Sequence, residues 1–306
     1  MNISDTGPIR VAIVGSTASG KSDVAMAVAR ELGDVELVSV DSMQVYRGMD
    51  IGTAKPTAAE RAEVVHHCIN LVAPTDEFTV GDFQPAYRAA IDHARSRSHR
   101  ALLVGGTGLY HRVVIDDFEL PGEFPEVRAE LEAEPDTVGL HARLATLDPA
   151  AAGKMEPENR RRVVRALEVT LGSGRPFSDF GPGVDAYPPT PVTQIGLRRP
   201  RPVIAERIER RVAAMIDAGL IDEVRELMAA GFSRSAGQAL GYKEIVAYLD
   251  GRIGKDEAIE TIITRTRQFA VRQERWFRRD PRVQWIDVDH DPVAEVAPAV
   301  IHALHA

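Results

Sequence analysis

The chain has 306 residues, 44% hydrophobic and 27% charged, with a formal net charge of −8, a balance that suits a soluble globular protein with one large domain carrying a smaller one. Its apolar runs, such as Ala101 to Val104, fall far short of the roughly 20 residues of a membrane span. Met1 to Arg10 lacks a basic and then apolar leader, and the single Cys68 cannot form an internal disulfide, so no membrane role is expected and the cytoplasm is the default location.

The first predicted strand is Val11 to Val14. It runs into Gly15-Ser16-Thr17-Ala18-Ser19-Gly20-Lys21-Ser22, which fits G-x-x-x-x-G-K-[ST]. In that pattern backbone N–H groups wrap a phosphate and the following helix N-terminus adds positive potential. Lys21 supplies a charge, and Ser22 can hold Mg²⁺. Val24, Ala27, Val28 and Leu32 then mark one face of a helix that Gly33 should end. The motif specifies a phosphate but not which ester.

A second strand, Leu37 to Val40, delivers Asp41 to its carboxyl end, where a carboxylate beside a phosphate loop can accept a proton or hold a metal through water. His66 and His67 are adjacent, so on a strand they point to opposite faces and make a poor ligand pair. The third strand, Leu102 to Val104, leads into Gly105-Gly106-Thr107-Gly108-Leu109-Tyr110. Glycines there permit close backbone approach, and Thr107 offers a hydroxyl.

From about Phe124 to Pro189 the strand signal disappears between proline clusters, which reads as an inserted helical domain. It contains Arg160, Arg161, Arg162 and Arg165. A fourth strand, Val192 to Leu197, precedes helical patterns at Val203 to Ala230 and Asp256 to Arg279, and a fifth strand, Val283 to Val288, comes last. Seven arginines between Arg265 and Arg282 face only Glu274 and Asp280, a local excess of +5 on an acidic chain. Such a patch can neutralise nucleic-acid phosphates, although a charged helix is more often a solvated face. Trp276 and Phe277 could stack on bases but at helical spacing suit a core. The expected fold class is α/β, a P-loop NTPase-like parallel sheet flanked by helices (residues 1–123 and 190–306), with an inserted small all-helical domain (residues 124–189).

Asp41-Ser42-Met43-Gln44-Val45-Tyr46 with Gly48-Met49-Asp50-Ile51-Gly52-Thr53-Ala54-Lys55-Pro56 resembles the most specific signature of the tRNA dimethylallyltransferase family, and the similarity extends over nearly the whole chain. Gly105 to Tyr110, Arg165-Ala166-Leu167-Glu168-Val169, Gly241-Tyr242-Lys243-Glu244 and Thr266-Arg267-Gln268 through Arg272-Gln273 also match. Ser16 departs from a usual proline, and Gln238-Ala239-Leu240 from a commoner isoleucine or valine before Gly241.

The resemblance implies that Gly15 to Ser22 holds the pyrophosphate of dimethylallyl diphosphate, with Mg²⁺ on Ser22 and with Arg207 and Arg211 completing the clamp. It implies Asp41 as general base for the N6 amine of the adenosine 3′-adjacent to the anticodon, with Thr107 orienting the amine or the leaving oxygen. The base must leave its stack to reach such a pocket. Contacts to the tRNA anticodon stem-loop are implied for Asp41, Ser42, Met43 and Gln44; for Arg161, Arg162, Val163, Val164 and Arg165; for Gln238, Ala239, Leu240, Gly241, Tyr242 and Lys243; and for Thr266, Arg267, Gln268, Arg272 and Gln273. A monomer is expected.

An ATP-dependent small-molecule kinase would use the same loop and stays open at this point. A GTPase is disfavoured because no N-K-x-D motif surrounds Asn2, Asn70 or Asn159. A non-catalytic RNA-binding module would leave the phosphate loop, Asp41 and Thr107 without a purpose.

Overall fold

The computed structural model describes residues 9–181 and 183–306, with only the backbone of Ile9; the stretch bearing on a leader therefore lies mostly outside the described residues. The chain forms two compact units, Met1–Ile115 with Pro189–Ala306, and Asp116–Pro188.

The larger unit holds six strands and most of the helices. In chain order they are β1 (Ile9–Gly15), α1 (Lys21–Leu32), β2 (Val35–Val40), α2 (Ala58–Glu63), β3 (His66–His67), α3 (Val80–Ser96), β4 (Arg100–Gly105) and α4 (Gly108–Ile115). The smaller unit contributes α5 (Pro125–Ala133), α6 (Thr137–Leu147), α7 (Pro149–Ala152) and α8 (Arg160–Ser173). The larger unit resumes with β5 (Thr193–Arg198), α9 (Arg201–Asp217), α10 (Leu220–Ala230), α11 (Tyr242–Leu249), α12 (Lys255–Arg278), β6 (Val283–Asp287) and α13 (Pro292–His305).

The sheet order is β3-β2-β4-β1-β5-β6 and every pairing is parallel. Parallel strands buried on both faces read as continuous apolar runs, as Val11 to Val14 does. Alternation sends Val11, Ile13, Leu37 and Leu102 to one face, against Val24 and Val28 of α1 and Val296 and Val300 of α13. Ala12, Val38, Val40, Ala101 and Leu103 face the other layer, with Phe83 of α3, Ile208 of α9, Ile245 of α11 and Ile262 of α12. The α/β expectation is borne out, and the smaller unit is helical, closing its own core with Leu131, Leu144, Val163 and Leu167.

Four details differ from the sequence reading. Among the described residues there are six strands, the additional one being the two-residue edge strand β3. The stretch Val203 to Ala230 is two helices, because Gly219 takes a left-handed φ of 98° that breaks the run. The chain ends in α13, whose Val296, Val300 and Leu304 are buried at helical spacing. In α1, Ala25, Met26 and Ala29 are buried with Val24 and Val28, whereas Ala27 and Leu32 are only half-buried. Gly33 does end α1, left-handed, its N–H donating to the Ala29 carbonyl at 3.0 Å.

Candidate active site

The loop between β1 and α1 lies at the carboxyl edge of the sheet, ringed by cations. Lys21 Nζ donates to the Ser16 carbonyl at 2.6 Å, Arg207 Nε to the Ala18 carbonyl at 2.8 Å, and Arg211 Nη1 to Thr17 Oγ1 at 3.2 Å. Arg199 Nε donates to the Ser19 carbonyl at 3.1 Å. Arg199 was not singled out from the sequence; its signal was its place just past β5, the strand beside β1. Burial and the neighbouring Arg211 push the Lys21 ammonium down to about 7, with Asp41 pulling the other way. A half-buried ammonium beside the Arg211 guanidinium suits an anionic ligand. The Ser19 hydroxyl is buried with no partner among the described residues. Ser22 is exposed on the first turn of α1, and its hydroxyl has no protein partner among the described residues.

Asp41 follows β2, two strands from β1 across β4. Its Oδ1 accepts the N–H groups of Met43 at 2.8 Å and Gln44 at 3.3 Å. Burial raises its carboxyl above the usual range, opposed by those two N–H groups and by Lys21 and Lys55. Thr107, just past β4, accepts the Ser42 N–H at 3.2 Å, and its own N–H donates to the Val40 carbonyl at 3.3 Å. Strand order thus brings together the phosphate loop, Asp41 and Thr107, three segments far apart in sequence.

The glycines of Gly105 to Gly108 make room for protein. A Cβ at Gly106 would lie 2.3 Å from Gln273 Nε2, and one at Gly108 would lie 2.1 Å from the Trp276 ring. α12 can therefore press onto this turn. The buried Gln273 side chain donates to the Gly106 carbonyl at 2.9 Å and accepts the Thr17 N–H at 2.7 Å.

The signature segment 48–56 is held from below. Glu223 accepts the N–H groups of Asp50, Ile51 and Gly52 at 3.0, 2.8 and 3.3 Å and the Tyr242 hydroxyl at 2.6 Å. Lys55 Nζ is enclosed by the Tyr46 carbonyl, Asp50 and Asn70 at 2.7, 2.6 and 2.8 Å. A buried ammonium left unpaired would be costly, so these contacts fix the turn.

The residues expected at RNA separate by burial. Gln238, Gln268, Arg161, Arg162 and Arg272 are exposed; Ser42, Met43, Leu240, Lys243, Thr266, Arg267 and Arg165 are half-buried; Ala239, Gly241, Tyr242, Val163, Val164 and Gln273 are buried. Gln44 is engaged internally, accepting the Ser39 hydroxyl at 2.7 Å and donating to the carbonyls of Thr53 and Ala54, both at 3.2 Å. Within the smaller unit, Arg160 donates to three carbonyls around Glu132, and Arg165 to Pro121, Gly122 and Glu168. On α12 and the turn after it the local excess is smaller than sequence counting implies. Arg265 pairs with Glu244 at 2.5 Å, Arg267 with Glu209, Arg278 with Glu274, and Arg282 with Asp280 at 2.7 Å. Arg272 and Arg275 are exposed with no carboxylate partner among the described residues. Trp276 is half-buried and Phe277 buried in the core.

The family model described as IPP transferase matches residues 44–280, and the one described as isopentenyl transferase matches residues 9–67. Named tRNA dimethylallyltransferases are similar at 45% identity over 298 residues in a Nocardioides species (96% of each chain) and at 50% over 286 residues in Kineococcus radiotolerans (90% of each). Among solved structures, the tRNA isopentenylpyrophosphate transferase of Bacillus halodurans is 40% identical with a TM-score of 0.70, over 97% of both chains. A eukaryotic dimethylallyltransferase acting on tRNA shares the fold at 24% identity and a TM-score of 0.80, over 95% of this chain and 77% of that one.

Proposed function

The chain belongs to the IPP transferase family, and from that premise we propose that it moves a dimethylallyl group from dimethylallyl diphosphate to the N6 amine of the adenosine 3′-adjacent to the anticodon in tRNA. It is a prenyl-transferring enzyme of tRNA; its relatives give the small-molecule kinase alternative no support. One observation carries the reading: a cation-ringed phosphate loop and a half-buried carboxylate share one edge of the sheet, with Thr107 fastening the Asp41-Ser42 turn.

Allylic transfer breaks the C–O bond to pyrophosphate, forms a C–N bond, and releases one proton from the attacking amine. Lys21, Arg207, Arg211 and the loop N–H groups are suited to the charge that grows on the departing oxygen. Arg199 supports the loop from behind through the Ser19 carbonyl. Asp41 takes the amine proton on the oxygen its turn leaves available, since Oδ1 already accepts two N–H groups. Thr107 orients the amine or the leaving oxygen.

The reaction requires a divalent metal, and we assign Mg²⁺. The exposed, unpartnered Ser22 hydroxyl is a hard oxygen donor of the kind Mg²⁺ selects. When bound, the ion would neutralise charge on pyrophosphate. The arginine-bearing faces of α12 and of the smaller unit bind the anticodon stem-loop chiefly through phosphates. The protein works as a cytoplasmic monomer. No described helix is long and apolar enough to cross a membrane.

Release of pyrophosphate from dimethylallyl diphosphate should depend on both tRNA and Mg²⁺, with ATP left intact. Steady ATP hydrolysis coupled to a small acceptor would overturn the proposal.

A further inference from the structure

Away from the phosphate loop, a second cluster gathers around Glu36 of β2. Glu36 is 1% exposed, yet its carboxylate meets four groups. Oε2 lies 2.6 Å from His67 Nε2 and 3.2 Å from His93 Nδ1. Oε1 lies 2.9 Å from His99 Nδ1 and 3.2 Å from Arg97 Nη1. The two oxygens thus have different surroundings: two imidazoles on one side, a guanidinium and an imidazole holding the other.

We propose that Glu36 Oε2, His67 Nε2 and His93 Nδ1 form a binding site for a borderline divalent transition metal of the Zn²⁺ class. These ligand atoms all lie within 4.8 Å of one another. Bonds of about 2.0–2.1 Å to a tetrahedral Zn²⁺ put neighbouring ligand atoms about 3.3 Å apart; His93 already stands 3.2 Å from Glu36 Oε2, and His67, hydrogen-bonded at 2.6 Å, would draw back by about 0.7 Å to admit the ion. Two histidines and one carboxylate leave a coordination position open. The cluster runs from the buried Glu36 to the exposed His93, so one of its ligands borders solvent. His99 and Arg97 act on Oε1, where they orient the carboxylate as outer partners of a metal ligand do. The adjacent His66 plays no part: its Nδ1 faces the Val64 carbonyl at 2.8 Å, as the alternation of a strand dictates.

The site is distinct from the prenyl-transfer centre. Glu36 and Asp41 are five residues apart along β2 and its exit, about 16 Å at 3.3 Å per residue. A metal there would fasten the two-residue edge strand β3 and helix α3 to β2. The bland alternative is a buried carboxylate satisfied by hydrogen bonds and ion pairs alone.

The test uses the full chain, free of any affinity tag and stripped by chelator, titrated with ZnCl₂ by calorimetry, with Co²⁺ absorption as a second readout. One equivalent should bind saturably, give the bands of a low-coordinate Co²⁺, and raise Tm. His93→Ala, an exposed change, should weaken binding at least about tenfold and erase the Co²⁺ bands, and His67→Gln should do the same. His66→Ala should keep both. Binding unchanged in His93→Ala, or no saturable equivalent in the wild-type chain, would overturn the site and leave the hydrogen-bonded cluster in its place.

Discussion

Gln273 and Thr17 are 256 residues apart, and the Thr17 N–H donates to Gln273 Oε1 at 2.7 Å. Because Gln273 Nε2 also donates to Gly106, one buried side chain of α12 spans the phosphate loop and the turn that carries Thr107. Replacing it with Leu leaves a part-buried N–H and a buried carbonyl unpaired, the latter alone costing about 1–3 kcal/mol. KM for dimethylallyl diphosphate should rise several-fold while the salt dependence of tRNA binding holds. Steady-state kinetics beside filter binding would check this; a loss confined to tRNA affinity would show that Gln273 acts at the RNA instead.

Asp41→Asn keeps the Oδ1 acceptor for Met43 and Gln44, so the turn should survive. Single-turnover transfer should slow by about 10² or more, as loss of a general base requires, with tRNA affinity within a few fold. Rapid-quench measurement at saturating tRNA is the check. Wild-type turnover would remove Asp41 from the role.

The two shifted groups set the pH dependence. Burial raises the Asp41 carboxyl, so activity should be lost on acidification at a pH above the ordinary carboxylate range. The Lys21 ammonium of the free enzyme loses its proton as pH rises through about 7, so kcat/KM for dimethylallyl diphosphate should fall there. Bound pyrophosphate favours the charged form, which moves that limb upward in kcat. Lys21→Arg, which stays charged, should remove the limb. Lys21→Ala should abolish pyrophosphate release, since one donor to developing charge is worth about 3 kcal/mol or more.

On α12 the cations without a carboxylate partner are the informative ones. Arg272→Ala with Arg275→Ala should weaken tRNA binding and lower the log-log salt slope by about 0.7 to 0.9 for each RNA phosphate that is no longer neutralised. Arg267→Ala, whose partner Glu209 already neutralises it, should flatten the slope less. Binding isotherms across a salt series test both, and an unchanged slope in the double variant would make this helix a solvated face.

The strands and the phosphate loop were legible because their signals are local: β-branched runs, a fixed glycine–lysine spacing, and a carboxylate placed by the strand before it. β3 was not, since two residues carry no period and their pairing with Leu37 and Val38 is set by β2. Nor was the break at Gly219, where apolar periodicity runs through the glycine into Leu220. The helix after β6 is written in the spacing of Val293, Val296, Val300 and Leu304, a signal that a reading led by strands and motifs passes over. Gln273 reads in sequence as one more polar residue on a charged helix; its destination depends on a loop at the other end of the chain. Partners such as Glu209 for Arg267 and Glu244 for Arg265 are likewise tertiary, so a count of charges along α12 overstates its field.

The most direct test of prenyl transfer to tRNA is mass spectrometry of tRNA nucleosides after incubation with the enzyme, dimethylallyl diphosphate and Mg²⁺. The expected result is N6-dimethylallyl adenosine at the position 3′ of the anticodon, formed in step with released pyrophosphate. Unmodified tRNA from an enzyme that instead converts ATP to ADP would contradict it.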